Sequence, residues 1–187
     1  MQQLLKQLQS YYRISDAAQQ ALSERFEQVE LNKNDLLLGA GRVCRSLYFL
    51  ESGCLRGYYH LGEKEVTHWF GFENDFVTSY HSFITQQPAV ENIQLIERCV
   101  LWAISKETLS ALFNDHHDIE RLVRIATEKY YLRLEERFVN GHFKTAGERY
   151  GMLLQQQPHV LERVPLGYIA SYLGISQETL SRIRSKF

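Results

Sequence analysis

The stretch Ile169-Ala170-Ser171-Tyr172-Leu173-Gly174-Ile175-Ser176-Gln177-Glu178-Thr179-Leu180-Ser181-Arg182-Ile183 decides how this chain is read. Two short helices that cross at a steep angle need a small residue inside the first, a Gly in a tight connection, and apolar residues at fixed offsets. Ile169 and Leu173 supply the inner face of a first helix, with Ala170 as the small residue at the crossing. Gly174 stands in the turn, Ile175 plugs the corner, and Ser176 can cap a second helix through its side-chain oxygen. Leu180, Ile183 and Phe187 then form a buried stripe at i, i+3 and i+7. The spacing predicts a helix-turn-helix from Val164 to Phe187.

The outward face of the second helix carries Gln177, Glu178, Thr179, Ser181 and Arg182, with Ser185 and Lys186 further down. Arg pairs bidentately with guanine and Gln with adenine, and Glu accepts from cytosine. If the helix enters a major groove N-terminus first, Gln177, Glu178 and Arg182 are the expected base contacts. Ser176, Thr179, Ser181, Arg184 and Lys186 are the expected phosphate contacts. The plainer alternative is an αα-hairpin with a solvated face, on which Glu178 and Arg182 form an i,i+4 ion pair.

Upstream of the tail, a helix over about Ala146–Gln156 is stopped by Pro158. Before it, Ile119, Leu122, Val123, Ala126, Tyr130 and Leu134 recur every three or four residues, predicting a long helix from about His116 to Val139. Asn140-Gly141 would end it as a left-handed cap. An apolar seam of that length beside a domain junction suits a dimer helix, the competing reading being a helix packed within its own chain. From Glu30 to Ser105 the texture is different. Short runs rich in Tyr, Phe, Trp and Val are separated by Gly39-Ala40-Gly41, Glu51-Ser52-Gly53, Gly62-Glu63-Lys64 and Glu73-Asn74-Asp75, which predicts an all-β sandwich or barrel. Leu61–Glu65 reads as a hairpin tip, and Asn74 occupies a turn position that wants positive φ. Ser105 caps a short helix reaching about Phe113. Two short helices are expected over 3–29, from Leu4, Leu5 and Leu8 and then Ala17, Leu22, Phe26 and Val29, with Ser15 capping the second.

Charge is divided along the chain. Residues 140–187 hold six Lys/Arg against three Glu, whereas residues 1–139 hold 15 against 19. An acidic front and a mildly basic tail suit a sensor joined to a nucleic-acid reader. Cys44, Cys54 and Cys99 are far apart and lack metal spacing, so buried reduced thiols are expected. No apolar run approaches the ~18 residues of a membrane span, and the N-terminus MQQLLKQLQSYY lacks a secretory signal's apolar core. A cytoplasmic protein with no membrane partner is the expectation. No nucleophile–base pair or phosphate loop can be assembled, because Gly39-Ala40-Gly41 lacks the Lys-Ser/Thr that follows in one. A metal enzyme on a small β-barrel would use His-x-His, which is absent, and His68 and His81 are single histidines in a β texture. The reading is therefore of a non-enzyme with no cofactor and no metal.

With these residues in view, the whole chain resembles the cyclic-AMP receptor protein / fumarate–nitrate regulator (Crp/Fnr) family of bacterial transcription factors. Leu47-Tyr48-Phe49-Leu50-Glu51-Ser52-Gly53-Cys54-Leu55-Arg56 is similar to the family's strand and Gly turn, Gly62-Glu63-Lys64-Glu65 to its hairpin, and Leu173 to Arg182 to its recognition segment, Ser-Arg-Glu-Thr-x-x-Arg. The resemblance implies an α+β fold: an N-terminal cyclic-nucleotide-binding-like double-stranded β-helix (jelly roll) with flanking helices, a long dimerisation helix, and a C-terminal helix-turn-helix. It implies domains at 1–115, 116–140 and 141–187. It also implies a homodimer on palindromic double-stranded DNA, with RNA polymerase as a further partner.

Three departures matter. Nucleotide-binding members carry Gly-Glu and then Arg-Ser/Thr around the cyclic phosphate. Here Val77-Thr78-Ser79-Tyr80-His81-Ser82-Phe83 and Pro88-Ala89-Val90-Glu91-Asn92 stand instead, and Glu91 would repel a phosphate. Cyclic AMP is therefore not the expected effector, and Thr78, Ser79, Tyr80, Ser82 and Asn92 are the candidate lining for another small molecule. Gln177 replaces the usual Arg, which should move the preferred base of each half-site away from guanine. The sequence stops at Phe187, so a wing's phosphate contacts are not expected. The alternative function is a cyclic-nucleotide-binding module acting through protein contacts.

Overall fold

A computed structural model describes residues 1–185. Two helices, α1 (Gln2–Tyr11) and α2 (Asp16–Ser23), precede a roll of eight strands. These are β1 (Glu27–Leu31), β2 (Leu36–Leu38), β3 (Ser46–Ser52), β4 (Leu55–Leu61), β5 (Lys64–Gly71), β6 (Phe76–Val77), β7 (Asn92–Leu95) and β8 (Cys99–Ser105), with α3 (Tyr80–Thr85) between β6 and β7. Then follow α4 (Lys106–Asp115), the long α5 (His117–Phe143), α6 (Ala146–Gln156), α7 (Val160–Arg163), α8 (Leu166–Leu173) and α9 (Gln177–Arg184). One antiparallel sheet has the order β1-β8-β3-β6 and the other β2-β7-β4-β5.

The sheets close on a core to which almost every strand contributes: Leu38, Leu50, Leu55, Trp69, Val77, Ile93, Leu95, Cys99 and Leu101. A second core joins α1, α2 and α4 to the outside of the roll and to the start of α5, through Leu4, Leu8, Leu22, Phe49, Ile104, Ile119 and Leu122. Burying each such Leu or Ile contributes about 1.5–3 kcal/mol. The expected Ser15 and Ser105 caps are present, their hydroxyls accepting from Ala18 and Thr108 amides. Asn74 has the expected positive φ of 73°, and all three thiols are buried.

Four expectations are corrected. Val29 belongs to β1, not a helix, because α2 ends at Ser23 and residues 27–31 pair in register with β8, Val29 opposite Leu101. The stretch 80–85, read as continuous β texture, is α3. Asn140-Gly141 does not end α5. The helix continues to Phe143, and the break falls at Lys144, whose amide bonds the Asn140 carbonyl at 3.1 Å. Thr145 must be extended there to cap α6 in a reciprocal box with Glu148, and this sets the boundary. The seam assigned to α5 is divided. Ile119 and Leu122 pack inward and Tyr130 stacks on Tyr80 of its own chain, centroids 3.8 Å apart. The large apolar residues left exposed are Tyr131, Leu132, Leu134, Phe138, Val139 and Phe143, and of these the predicted seam held only Leu134.

Candidate nucleic-acid interface and sensor interior

The tail folds as its spacing demands. In α8, Ile169, Ala170 and Leu173 are buried and form one core with Leu180 of α9, Tyr150 and Leu153 of α6, and Val160 and Val164. Gly174 ends α8 in the left-handed region at φ 66°, ψ 33°, where a Cβ would be strained. Its amide bonds the Ser171 carbonyl and that of Ile175 reaches back to Ala170, both at 3.0 Å. This 6→1 and 5→2 pair is a Schellman ending. Ser176 starts α9 extended, at φ −77° and ψ 160°, and its hydroxyl accepts from the Thr179 amide. Arg149 of α6 clasps the far end of α8, donating to the Leu173 carbonyl at 2.6 Å.

On α9, Gln177, Glu178, Ser181, Arg182 and Arg184 are exposed and Thr179 is half-buried, all close to the helix N-terminus or along one outward side. Lys186 and Phe187 lie outside the described residues. Ser176 and Thr179 have local duties: the two hydroxyls bond each other at 3.2 Å, and Arg182 also donates to Thr179. Glu178 does not form an ion pair with Arg182 among the described residues. A bond from the Ser176 hydroxyl holds the Glu178 carboxyl below its ordinary pKa. Gln177 leans back over the first turn of α8, where a Cβ on Gly167 would stand 3.0 Å from its Nε2.

Sequence reasoning missed how firmly this tail sits on the roll. Arg163 of α7 donates to Glu97 from Nε at 3.0 Å and Nη2 at 2.6 Å, and to Glu73 from Nη1 at 2.8 Å and Nη2 at 2.7 Å. The Ser171 hydroxyl accepts from the Thr67 amide and donates to the Glu65 carbonyl, both at 2.9 Å, so α8 is tied to the β5 edge. Arg56 is 1% exposed; it bonds Glu65, Thr67 and Gln94 and lies 3.5 Å under the Tyr168 ring centroid. In the sequence Arg163 is one of the six basic residues of the tail, with nothing to set it apart. Its partners lie 66 and 90 residues away, which no local pattern signals.

Inside the roll, four of the five candidate lining residues, Thr78, Ser79, Ser82 and Asn92, are buried. The Thr78 hydroxyl donates to the Ser46 carbonyl, and Ser82 accepts from the Cys44 amide while donating to the Gln87 carbonyl. Asn92 accepts from the Ala40 amide, and its Nδ2 has no hydrogen-bond partner among the described residues. Tyr80 is taken up by its stack on Tyr130. Glu91, also buried, accepts from His68 Nε2 at 2.8 Å and Trp69 Nε1 at 3.0 Å. Burial alone would raise its pKa. The bonds from His68, Ser79 and Trp69 outweigh that and hold the carboxyl below its ordinary value.

Comparison with known proteins agrees with this architecture. Residues 28–116 match the sequence family described as cyclic nucleotide-binding domain. Comparison with curated protein sequences gives no significant match. Among solved structures, FixK2 from Bradyrhizobium japonicum is similar with a TM-score of 0.73 and 17% identity, over 86% of this chain and 83% of that one. A putative transcriptional regulator of the Crp/Fnr family from Eubacterium rectale gives 0.69 and 17%, over 95% and 87%. The catabolite activator protein of Thermus thermophilus gives 0.60 and 18%, over 96% and 85%. The resemblance carried by the sequence thus holds at the level of the fold: residues 28–116 match the cyclic nucleotide-binding domain, and the chain as a whole shares the architecture of these solved structures.

Proposed function

We propose that the chain is a homodimeric, sequence-specific DNA-binding transcription regulator, not an enzyme, and that cyclic AMP is not its effector. The observation that carries the reading is the exposed polar face of α9, held at a fixed angle by the core it shares with α8. Gln177, Glu178 and Arg182 are assigned to base edges, and Ser181, Arg184 and Lys186 to phosphates, with Ser176 and Thr179 contributing through the capped helix start. The exposed apolar residues of α5, from Tyr131 to Phe143, supply a face for a second copy. They continue into a groove lined by Phe113, Val123, Tyr131 and Leu132. Two recognition helices would then address half-sites about one helical turn, ~34 Å, apart. Against cyclic AMP stands Glu91, an ionised buried carboxylate where a cyclic phosphate would need a cation.

Binding to a labelled duplex measured by fluorescence anisotropy separates these roles. Arg182→Ala should cost about 1–3 kcal/mol and relax preference at one position of each half-site. Arg184→Ala should weaken all duplexes alike and reduce the salt slope by about 1 per half-site. Equal, sequence-independent losses from both variants would leave no base reader on α9.

A further inference from the structure

Groups from two elements of the roll meet on one carboxylate. His68 and Trp69, successive residues of β5, direct Nε2 and Nε1 to the same Glu91 oxygen, Oε2, at 2.8 and 3.0 Å. Ser79, buried at the start of α3, also favours the charged form of the carboxylate. Successive strand residues ordinarily face opposite sides of a sheet. Here a register irregularity in the β4–β5 ladder falls between Gly57 and Tyr58, beside this pair. Gly57 itself makes room for the indole, since a Cβ there would lie 2.1 Å from Trp69 Nε1. Tyr59 backs the His68 ring, centroids 4.3 Å apart. The imidazole Nε2 and the indole N–H thus converge on one anion, and the anion held is part of the chain. With 7% exposure, Glu91 is closed off from competing solutes.

We propose that Glu91 is an internal ligand: its carboxylate fills an anion site built from His68 and Trp69, so that the sensor domain takes no diffusible phosphate or carboxylate there. An ionised carboxylate buried against two polar ring nitrogens excludes a second anion by desolvation and like charge. Truncating the side chain leaves the donors in place and removes the occupant. The cradle of Glu91→Ala then matches acetate, which restores the carboxylate and one carbon. This inference is independent of DNA binding, because its test reads only the melting of the full-length protein.

The test follows Tm of wild type and E91A against sodium acetate, inorganic phosphate and cyclic AMP, at ionic strength held constant with sodium chloride, with acetamide as the uncharged control. E91A should melt lower than wild type and recover about 3–6 °C at a tenfold excess of acetate over its Kd, saturably. Acetamide should not reproduce the recovery. The double variant W69F/E91A should lose most of the response, which ties it to this cradle. Wild type should respond to none of the solutes. A saturable rise for wild type with phosphate, acetate or cyclic AMP overturns the proposal, as does an E91A response to acetate no larger than that of wild type. Should E91A yield no folded protein, E91S, which leaves a hydroxyl in the space, is read by the same criteria.

Discussion

Replacing Arg163 by Met should release the tail from the roll. The guanidinium donates four hydrogen bonds, two to Glu73 and two to Glu97, and its charge centre lies 5.5 Å over the Phe72 ring. Met keeps the apolar stem and removes the charge, leaving two carboxylates facing each other. Breaking one side of a fully buried ion pair costs roughly 3–5 kcal/mol, and an exposed pair roughly 0–1. Arg163, Glu73 and Glu97 are 24%, 32% and 33% exposed at the side chain, which sets the expectation between, at about 2–3 kcal/mol. For a chain of this size that is a fall in Tm of about 4–12 °C. The triple variant E73Q/E97Q/R163M should recover part of the loss, because its residual partners are neutral. The sign with pH is fixed as well. Burial opposes ionisation of Glu73, but the bonds from Arg163 and from backbone amides outweigh it and lower its pKa. The stability it contributes is therefore present above its unfolded pKa of about 4.3 and is lost as pH falls through the lower folded value. The gap between wild type and R163M should narrow over that range. A single variant melting within about 1 °C of wild type at pH 7, or a triple variant no more stable than the single, would mean that Arg163 does not hold the tail to the roll.

Three further outcomes are expected. Gly57→Ala would drive a Cβ into the Trp69 ring and break the indole's bond to Glu91, so Tm by calorimetry should fall by at least about 6 °C, from a penalty of about 3 kcal/mol. Glu91, held below its ordinary pKa, contributes stability above about pH 4.3 that is lost on acidification, and Glu91→Gln should flatten the acid limb of a Tm-versus-pH curve. Leu132→Glu, at an exposed position of α5, should leave the monomer's fold unchanged by circular dichroism and weaken self-association about 100-fold by sedimentation equilibrium.

The pair α8 and α9 with its turn was legible because its constraints are local. Ala170, Gly174, Ile175 and Ser176 each answer a backbone or packing demand met within a few residues, and each does so in the structure. The strands of the roll were legible from turn residues such as Gly62 and Asn74, both found at positive φ. What stayed hidden depends on distant partners. Nothing near Arg163 announces Glu73 and Glu97, and nothing near Arg56 announces Tyr168. His68 read as an isolated histidine because Glu91 lies 23 residues away. Glu91 itself was visible as a charge hostile to phosphate, while its partners were not. The seam of α5 was half legible: a period of three to four marks apolar faces but not which of them the chain's own roll covers.

The most direct measurement is a selection from random-sequence duplex DNA with the full-length protein, repeated with Gln177→Arg. An enriched inverted repeat is expected, with half-site centres about one helical turn apart. Gln177→Arg should change one position in each half-site toward guanine and leave the others alone. No enriched motif, or a motif without two-fold symmetry that Gln177→Arg does not alter, would contradict a two-fold DNA reader built on α9.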